Sequence, residues 1–579
     1  MGRLRGYVLR YRRRYALGAV CLLGTATLVM WIPWWIREAV RILEEGGALD
    51  DVTFYAVIIA AAAVVQGVIR TWSRSLIFNA GRDIEYDLRG DLFAHLQKLP
   101  MAYYHSQRTG DLMSRVINDI AAVRMLLGPG FLNFVNAPLY YVYALALMIS
   151  IDWRMTLAAL APYPILIWAV RNFRGKILRG SLRVQEQMAE LSNHIQENIS
   201  GVHVVKAYTQ EDPQARAFVA LNEEYRGRSV ELAALRGVIE PFMRGMSGLA
   251  ILTVLWYGGV RVIRGDLLIA DVVAFIAYLN VLAWPTAAFG WMLSLIERGR
   301  AAMKRLEEIF KTEPDITNPL SPARSVDLRL GVEFSGVSFA YGTRGNGRPT
   351  LKDIDFALPL GRTVALVGRT GAGKTTLAQL VPRLYDVSAG EIRLGGRDIR
   401  QLELAELRQA LAYVPQDSFL FSDTLRRNLT FGKEDVPDAE VEKVVRLTRL
   451  DRDVETFPHG LDTIVGERGV TLSGGQKQRA TLARALLCDA PFLILDDCLS
   501  SVDAHTEDEI LRGLREVLKE RTCLIVSHRI SAIREADEIL VMDEGEIVEG
   551  GSHDELVSRG GLYADMFRQQ QLSEEMEQL

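Results

Sequence analysis

Two patterns of apolar positions divide the chain. In the first half, apolar runs of roughly 20 residues recur, each long enough to cross a bilayer. The first extends from Ala16 to Ile36, and five more lie at about 53–70, 131–151, 154–171, 245–263 and 270–296. Between them, residues 71–130 and 172–244 are rich in charge and in helix formers, and proline is absent from 71–99 and 172–212. This predicts helices that continue out of the membrane, turn and return. The turns are expected at Pro100–Tyr104, followed by Thr109-Gly110-Asp111, and at Tyr208–Pro213. Helices of ~40 residues would reach ~60 Å, well beyond a bilayer.

The second pattern begins at Val332. Short β-branched runs alternate with helical stretches: Val332–Tyr341, Thr363–Val367, Ala412–Val414, Phe492–Leu495, Cys523–Val526 and Glu538–Met542. Such alternation predicts an α/β nucleotide-binding domain. Pro314, Pro319 and Pro322 punctuate the polar stretch between the two patterns, a linker composition. The expected organisation is a transmembrane domain over 1–300, a linker over 301–331, an α/β domain over 332–570 and an acidic tail over 571–579. The tail is expected to fray, with a small contact to a partner's tail as the alternative.

Charge orients the membrane half. The net charge of −4 says little, because six arginines fall within the first 14 residues. No Lys or Arg occurs among residues 42–69, whereas Glu44, Glu45, Asp50 and Asp51 do. After the second, fourth and sixth runs come Arg70 to Lys98, Arg171 to Arg179 and Arg298 to Arg305. The positive-inside rule places the N-terminus, both long inter-span segments and the C-terminal half in the cytoplasm, in a multi-pass protein of the cell membrane. Arg261 and Arg264 run against the rule. A signal peptide is the competing reading of the first run, but the run is too long and no small-residue cleavage site follows it cleanly. The four cysteines show no paired spacing, which argues against a disulfide framework or zinc site.

The chemistry is concentrated in the second half. Residues 368–375 read Gly-Arg-Thr-Gly-Ala-Gly-Lys-Thr, a phosphate-binding loop placed between a strand and a helix. Its glycines let backbone N–H groups approach phosphates, and the helix N-terminus favours negative charge. Lys374 suits the β/γ-phosphates and Thr375 a Mg²⁺ ion. Asp496 ends the apolar strand Phe492–Leu495, where a carboxylate reaches the cation. Leu472-Ser473-Gly474-Gly475-Gln476 lies just upstream, Gln416 follows Val414-Pro415, and His528 closes the strand from Cys523.

Singly these features are weak. In this order and spacing the chain resembles the ATP-binding cassette (ABC) transporters, specifically an exporter half-transporter. That resemblance implies a six-helix all-α transmembrane domain followed by an α/β P-loop domain, ATP and Mg²⁺ as cofactors, and two cassettes dimerising head to tail. It implies that Tyr341 stacks on adenine and that Gly368, Arg369, Thr370, Gly371, Ala372, Gly373, Lys374, Thr375, Thr376, Gln416 and Asp496 hold the nucleotide. Thr375, Gln416 and Asp496 would serve the metal. Ser473, Gly474, Gly475 and Gln476 would cover ATP bound to the partner. Gln416, Asp497 and His528 would be the catalytic set, with Ser501 and Asp503 communicating between sites. Gly466-Glu467-Arg468-Gly469 would touch the cytoplasmic helices of the membrane domain, and the turns near Tyr104 and Thr209 would act as coupling helices.

One residue departs from the family pattern. Asp497 stands where a Glu usually positions the attacking water. It is one methylene short, and a misplacement of ~1 Å can cost on the order of 10²-fold in rate. The signature Leu472–Gln476 is unaltered. A heterodimer is therefore expected, in which this chain binds ATP, hydrolyses it slowly and completes a partner's competent site. A slow homodimer, a lipid flippase and an ATP-gated channel are the alternatives. A family-level substrate is an amphiphilic drug, lipid or peptide. Asn133, Asn136, Asn280, Trp284, Pro285 and Trp291 lie at membrane depth; polar groups there either bond between helices or line a path. No nucleic-acid partner is expected of a chain with six spans.

Overall fold

The computed structural model describes residues 2–321, 331–342, 349–433, 435–469 and 471–578. Residues 322–330 of the expected linker, with Pro322, lie outside the described residues, as do the side chains of Arg468 and of most residues beyond Leu572. The chain forms two compact units. One comprises Met1–Gln97 and Gly110–Thr312, the other Lys98–Thr109 and Glu313–Leu579.

The first unit is helical throughout. Helices Arg12–Glu44, Leu49–Leu96, Thr109–Ile151, Glu211–Ile263 and Ile269–Lys311 are each long and apolar enough to span a membrane. The expected span at 154–171 is interrupted, with helices at Trp153–Leu160 and Tyr163–Ser200. Pro162 lies at the break; proline has no N–H with which to continue the preceding helix. Other helices run far past the apolar run, as expected: Leu49–Leu96 has 48 residues and Glu211–Ile263 has 53. Helix Ile269–Lys311 likewise passes through the expected boundary at 300, because Ala302, Met303, Leu306 and Ile309 keep burying one face. Arg261, an exception to the charge rule, is neutralised locally by Asp152 at 3.0 Å and Asp266 at 3.3 Å. Spans approach closely where residues are small. A Cβ on Gly81 would stand 3.3 Å from the Gly128 backbone nitrogen, so a larger side chain would push these helices apart.

Among its described residues the second unit holds two sheets. Strands β1 (Val332–Phe339), β2 (Leu351–Leu358), β4 (Ala389–Leu394) and β5 (Arg397–Asp398) form an antiparallel sheet in the order β2-β1-β4-β5. Strands β3 (Thr363–Gly368), β6 (Leu411–Val414), β7 (Phe492–Asp496), β8 (Thr522–Val526), β9 (Glu538–Asp543) and β10 (Glu546–Gly551) form the other, in the order β10-β9-β3-β8-β7-β6. All its pairings are parallel except β9 with β10. Alternate residues of its central strands feed separate cores. Leu493, Leu495, Cys523 and Ile525 pack on one side; Phe492, Ile494, Leu524 and Val526 pack on the other. This double burial explains why these strands read as continuous apolar runs. The strands that sequence pattern misses, β2, β4, β5 and β10, are antiparallel and carry interspersed charge. At the C-terminus helix Leu562–Gln578 runs through residue 571, so the expected tail continues a helix.

Leu524, fully buried at the centre of β8, tests the double-sided core. Leu524→Ala should cost about 2–5 kcal/mol, read as a lower denaturation midpoint of the full-length protein; an unchanged midpoint would contradict the packing described.

Candidate nucleotide site

Parallel pairing delivers the chemistry. Because β3, β8, β7 and β6 are parallel neighbours, their carboxyl ends open at one edge, the usual place for ligands in such sheets. Gly368 ends β3, His528 follows β8, Asp496 ends β7 and Gln416 follows β6. Thr370, Gly371, Gly373, Lys374, Thr375, Thr376, Gln416, Asp496, Asp497 and His528 accordingly line one cleft of about 250 Å³.

The loop needs its glycines. Gly368 has φ +154°, and a Cβ there would lie 2.1 Å from the Met542 carbonyl oxygen; Gly373, at φ +98°, would press its Cβ to 2.7 Å from Leu351. Lys374 folds back onto the loop, its Nζ donating to the carbonyls of Gly368 at 2.9 Å and Arg369 at 3.0 Å. Burial pulls the Lys374 ammonium below its ordinary pKa, while Asp497 and Asp496 oppose the shift. Arg369 and Ala372 do not line the cleft; Ala372 is buried and Arg369 offers its carbonyl. Tyr341 stands beside the cleft, its hydroxyl 3.0 Å from Thr376 Oγ1 and its ring edge-on to Tyr385.

The acidic end gathers oxygens. Thr375 Oγ1 donates to Asp496 Oδ1 at 3.0 Å and reaches Gln416 Oε1 at 3.5 Å. A hydroxyl, a carboxylate and an amide oxygen form a set of hard donors that could hold Mg²⁺. Tyr413, unremarked in the sequence, donates to Asp496 Oδ2 at 3.4 Å. Asp496 is fully buried, and burial pushes its pKa up to about 6. Asp497 follows with φ +48°, and its N–H donates to the Val526 carbonyl at 2.8 Å. Burial and the Lys374 charge lower the His528 pKa, while Asp497 opposes the shift.

The signature lies elsewhere, for no residue of 472–476 lines the cleft among the described residues. Ser473 caps helix Gly474–Leu487, accepting from Gln476 N, while Gln476 Oε1 accepts from Ser473 N at 2.8 Å. Gln476 Nε2 also donates to Asp453 at 2.8 Å, so this glutamine shapes the helix start. Gln478, missed by sequence reasoning, ties this helix to the segment after Asp497. Its Nε2 donates to Ser500 Oγ at 2.9 Å, and its Oε1 accepts from Ser501 N at 2.8 Å. Arg529, next to His528, donates to the carbonyls of Val502 at 3.1 Å and Ser500 at 3.2 Å and pairs with buried Glu507. Asp503 caps the following helix through Thr506 N. Only the spacing of Gln478 two residues past the signature could have signalled its role.

Comparison with known proteins agrees with this arrangement. Residues 15–286 match the ABC transporter transmembrane region and residues 351–500 the ABC transporter domain. The Bacillus subtilis probable multidrug resistance ABC transporter ATP-binding/permease protein YheI is 36% identical, over 97% of this chain and 96% of its own. The chain belongs to the ABC exporters. An ATP-dependent lipid A-core flippase of Syntrophus aciditrophicus is 31% identical, over 97% of this chain and 94% of its own. The solved structure of a bacterial Atm1-family ABC exporter with ATP bound superposes with a TM-score of 0.79 at 27% identity, covering 96% of this chain and 98% of that one. The exporter is thus an ATPase coupled to transport, built from a helical transmembrane domain and a P-loop cassette.

The raised Asp496 pKa sets a pH dependence. The folded, nucleotide-free exporter holds this proton more tightly than the unfolded chain, whose Asp has the ordinary value of 3.8. The stabilising effect of protonation is thus full below the unfolded value and is lost as pH rises through about 6. A cation needs the carboxylate. Mg²⁺-dependent ATP affinity should therefore rise with pH and level off above about 6. Equilibrium binding across that range checks it, and Asp496→Asn should abolish the step.

Proposed function

We propose that this chain is one half of an ATP-driven exporter of amphiphilic substrates (drugs, lipids or peptides) and that its partner is a different half-transporter. Its own cassette holds Mg-ATP through the loop 368–376, Tyr341, Gln416 and Asp496, and hydrolyses it slowly. Ser473, Gly474 and Gly475 cover the partner's ATP, and the N-terminus and cassette face the cytoplasm.

The observation that carries this reading is Asp497. It sits in the cleft beside Asp496 and His528, 9% exposed, where its carboxylate is one methylene shorter than Glu. Its φ of +48° is a second reason for Asp, because short polar side chains tolerate left-handed backbone better than longer ones. Meanwhile the signature helix keeps its cap and both of its glycines; a Cβ added at Gly474 would stand 3.4 Å from Ser501 Cβ, and one at Gly475 3.0 Å from the Ser501 carbonyl oxygen. An intact signature beside a shortened carboxylate suits a pair in which only the partner supplies the working Glu.

Gentle purification from native membranes should recover a second half-transporter carrying Glu after its Mg²⁺-binding Asp. Recovery of this chain alone as a dimer would overturn the asymmetric reading and favour a slow homodimer. In the assembled complex Asp497→Glu should raise ATP turnover; no rise at all would show that reach is not what limits this site.

A further inference from the structure

A cavity of about 50 Å³ opens in the membrane unit among the first, second, third and sixth spans. Arg70, Arg74, Asn133, Asn136, Tyr140 and Trp284 line it. An adjoining cavity shares the last four of these and runs past Pro285 to Phe289 and Met292. Three polar side chains of the lining have hydrogen-bond partners. The hydroxyls of Thr25 and Ser73 donate to carbonyls of their own helices at 2.8 and 2.9 Å, and Asn133 Nδ2 donates to the Pro129 carbonyl at 2.8 Å. Asn136 Oδ1 is buried without a hydrogen-bond partner, and neither Arg70 nor Arg74 has an ion pair among the described residues. The lining of both cavities contains two cations and no carboxylate.

Depth gives the cavity a polarity. Arg70 and Arg74 are one helical turn apart and share a face. From Leu49 to Arg70 the second helix rises roughly 30 Å, the thickness of the hydrocarbon core, so the two guanidiniums sit at the membrane boundary next to residues 71–130. Tyr140 lies about 10 Å further along the third helix than Asn133, on the hydrocarbon side of that boundary. Trp284, roughly 22 Å along the sixth helix from Ile269, lies on the hydrocarbon side too and leaves large apolar surface exposed. The site therefore offers charge at its mouth and aromatic surface behind.

We propose that this cavity seats the head of an anionic amphiphile bearing a phosphate monoester group. Arg70 and Arg74 hold the charge, since a guanidinium fork matches such oxygens bidentately. Asn136 Oδ1 accepts from the P–OH of a monoprotonated phosphate, and the first methylenes lie along Trp284 and Tyr140. The inference deepens the export reading by naming a substrate class, and it rests on that reading only for the transport step after binding.

The test measures binding to the full transporter in neutral phosphatidylcholine nanodiscs without nucleotide. The probes are dodecyl phosphate, dodecyltrimethylammonium and inorganic phosphate. Dodecyl phosphate should bind saturably and more weakly as salt rises. Paired Arg70→Gln and Arg74→Gln should weaken it by about tenfold or more, as expected for lost charge-assisted hydrogen bonds. Paired Arg70→Lys and Arg74→Lys should retain more affinity than the Gln pair, and Asn136→Leu alone should weaken it less than the Gln pair does. Equal binding of the ammonium probe, or dodecyl phosphate affinity unchanged in the Gln pair, would overturn the proposal. Inorganic phosphate binding as tightly as dodecyl phosphate would overturn its amphiphile part. Absence of dodecyl phosphate binding by a complex that still hydrolyses ATP would sink this site while leaving the export reading standing.

Discussion

The parallel register of β3, β8, β7 and β6 is the constraint on which the rest of the cassette depends. Val526 pairs with Leu366 on one side and Asp496 on the other, and Val414 pairs with Leu495. Four strands thereby end together. Residues as far apart in sequence as Thr370 and His528 line one cleft. Antiparallel pairing of any one strand would carry its chemistry to the opposite edge. The register is maintained by burial on both faces, because a strand whose alternate residues feed two cores exposes apolar side chains wherever it slips.

The same burial tunes the chemistry. Asp496, Lys374 and His528 are all shifted toward their neutral forms, and loss of water is the largest cause in each case. A site prepared in this way gains most from a ligand that restores charge balance, such as phosphates against Lys374 and a divalent cation against Asp496. The signature helix is fastened to the segment after Asp497 by Gln478, and Arg529 joins that segment to the position next to His528. A shift at the γ-phosphate end of the cleft thus has a hydrogen-bonded route to the surface that, on the proposed reading, serves the partner.

Much of this was legible in sequence, for physical reasons that differ by element. The phosphate-binding loop is readable because its backbone angles exclude side chains, as Gly368 and Gly373 show. The buried parallel strands are readable because both faces demand apolar residues. The edge strands β2 and β10 were not, since half-exposed antiparallel strands tolerate charge. The break at Pro162 was hidden because apolar composition runs on across it. Gln478 and Tyr413 escaped because a single polar residue in a helix or strand carries no pattern; only their partners, Ser500, Ser501 and Asp496, reveal them. Asp497 was visible as a departure, but its left-handed backbone was not.

On the proposed reading the Asp497 site retains ATP while the other site turns over. The most direct measurement is the nucleotide content of the assembled transporter, isolated rapidly after a single turnover with labelled ATP. One retained ATP and one ADP per transporter are expected, with the ATP photo-crosslinking to this chain's phosphate-binding loop. Two ADP, divided equally between the sites, would contradict it.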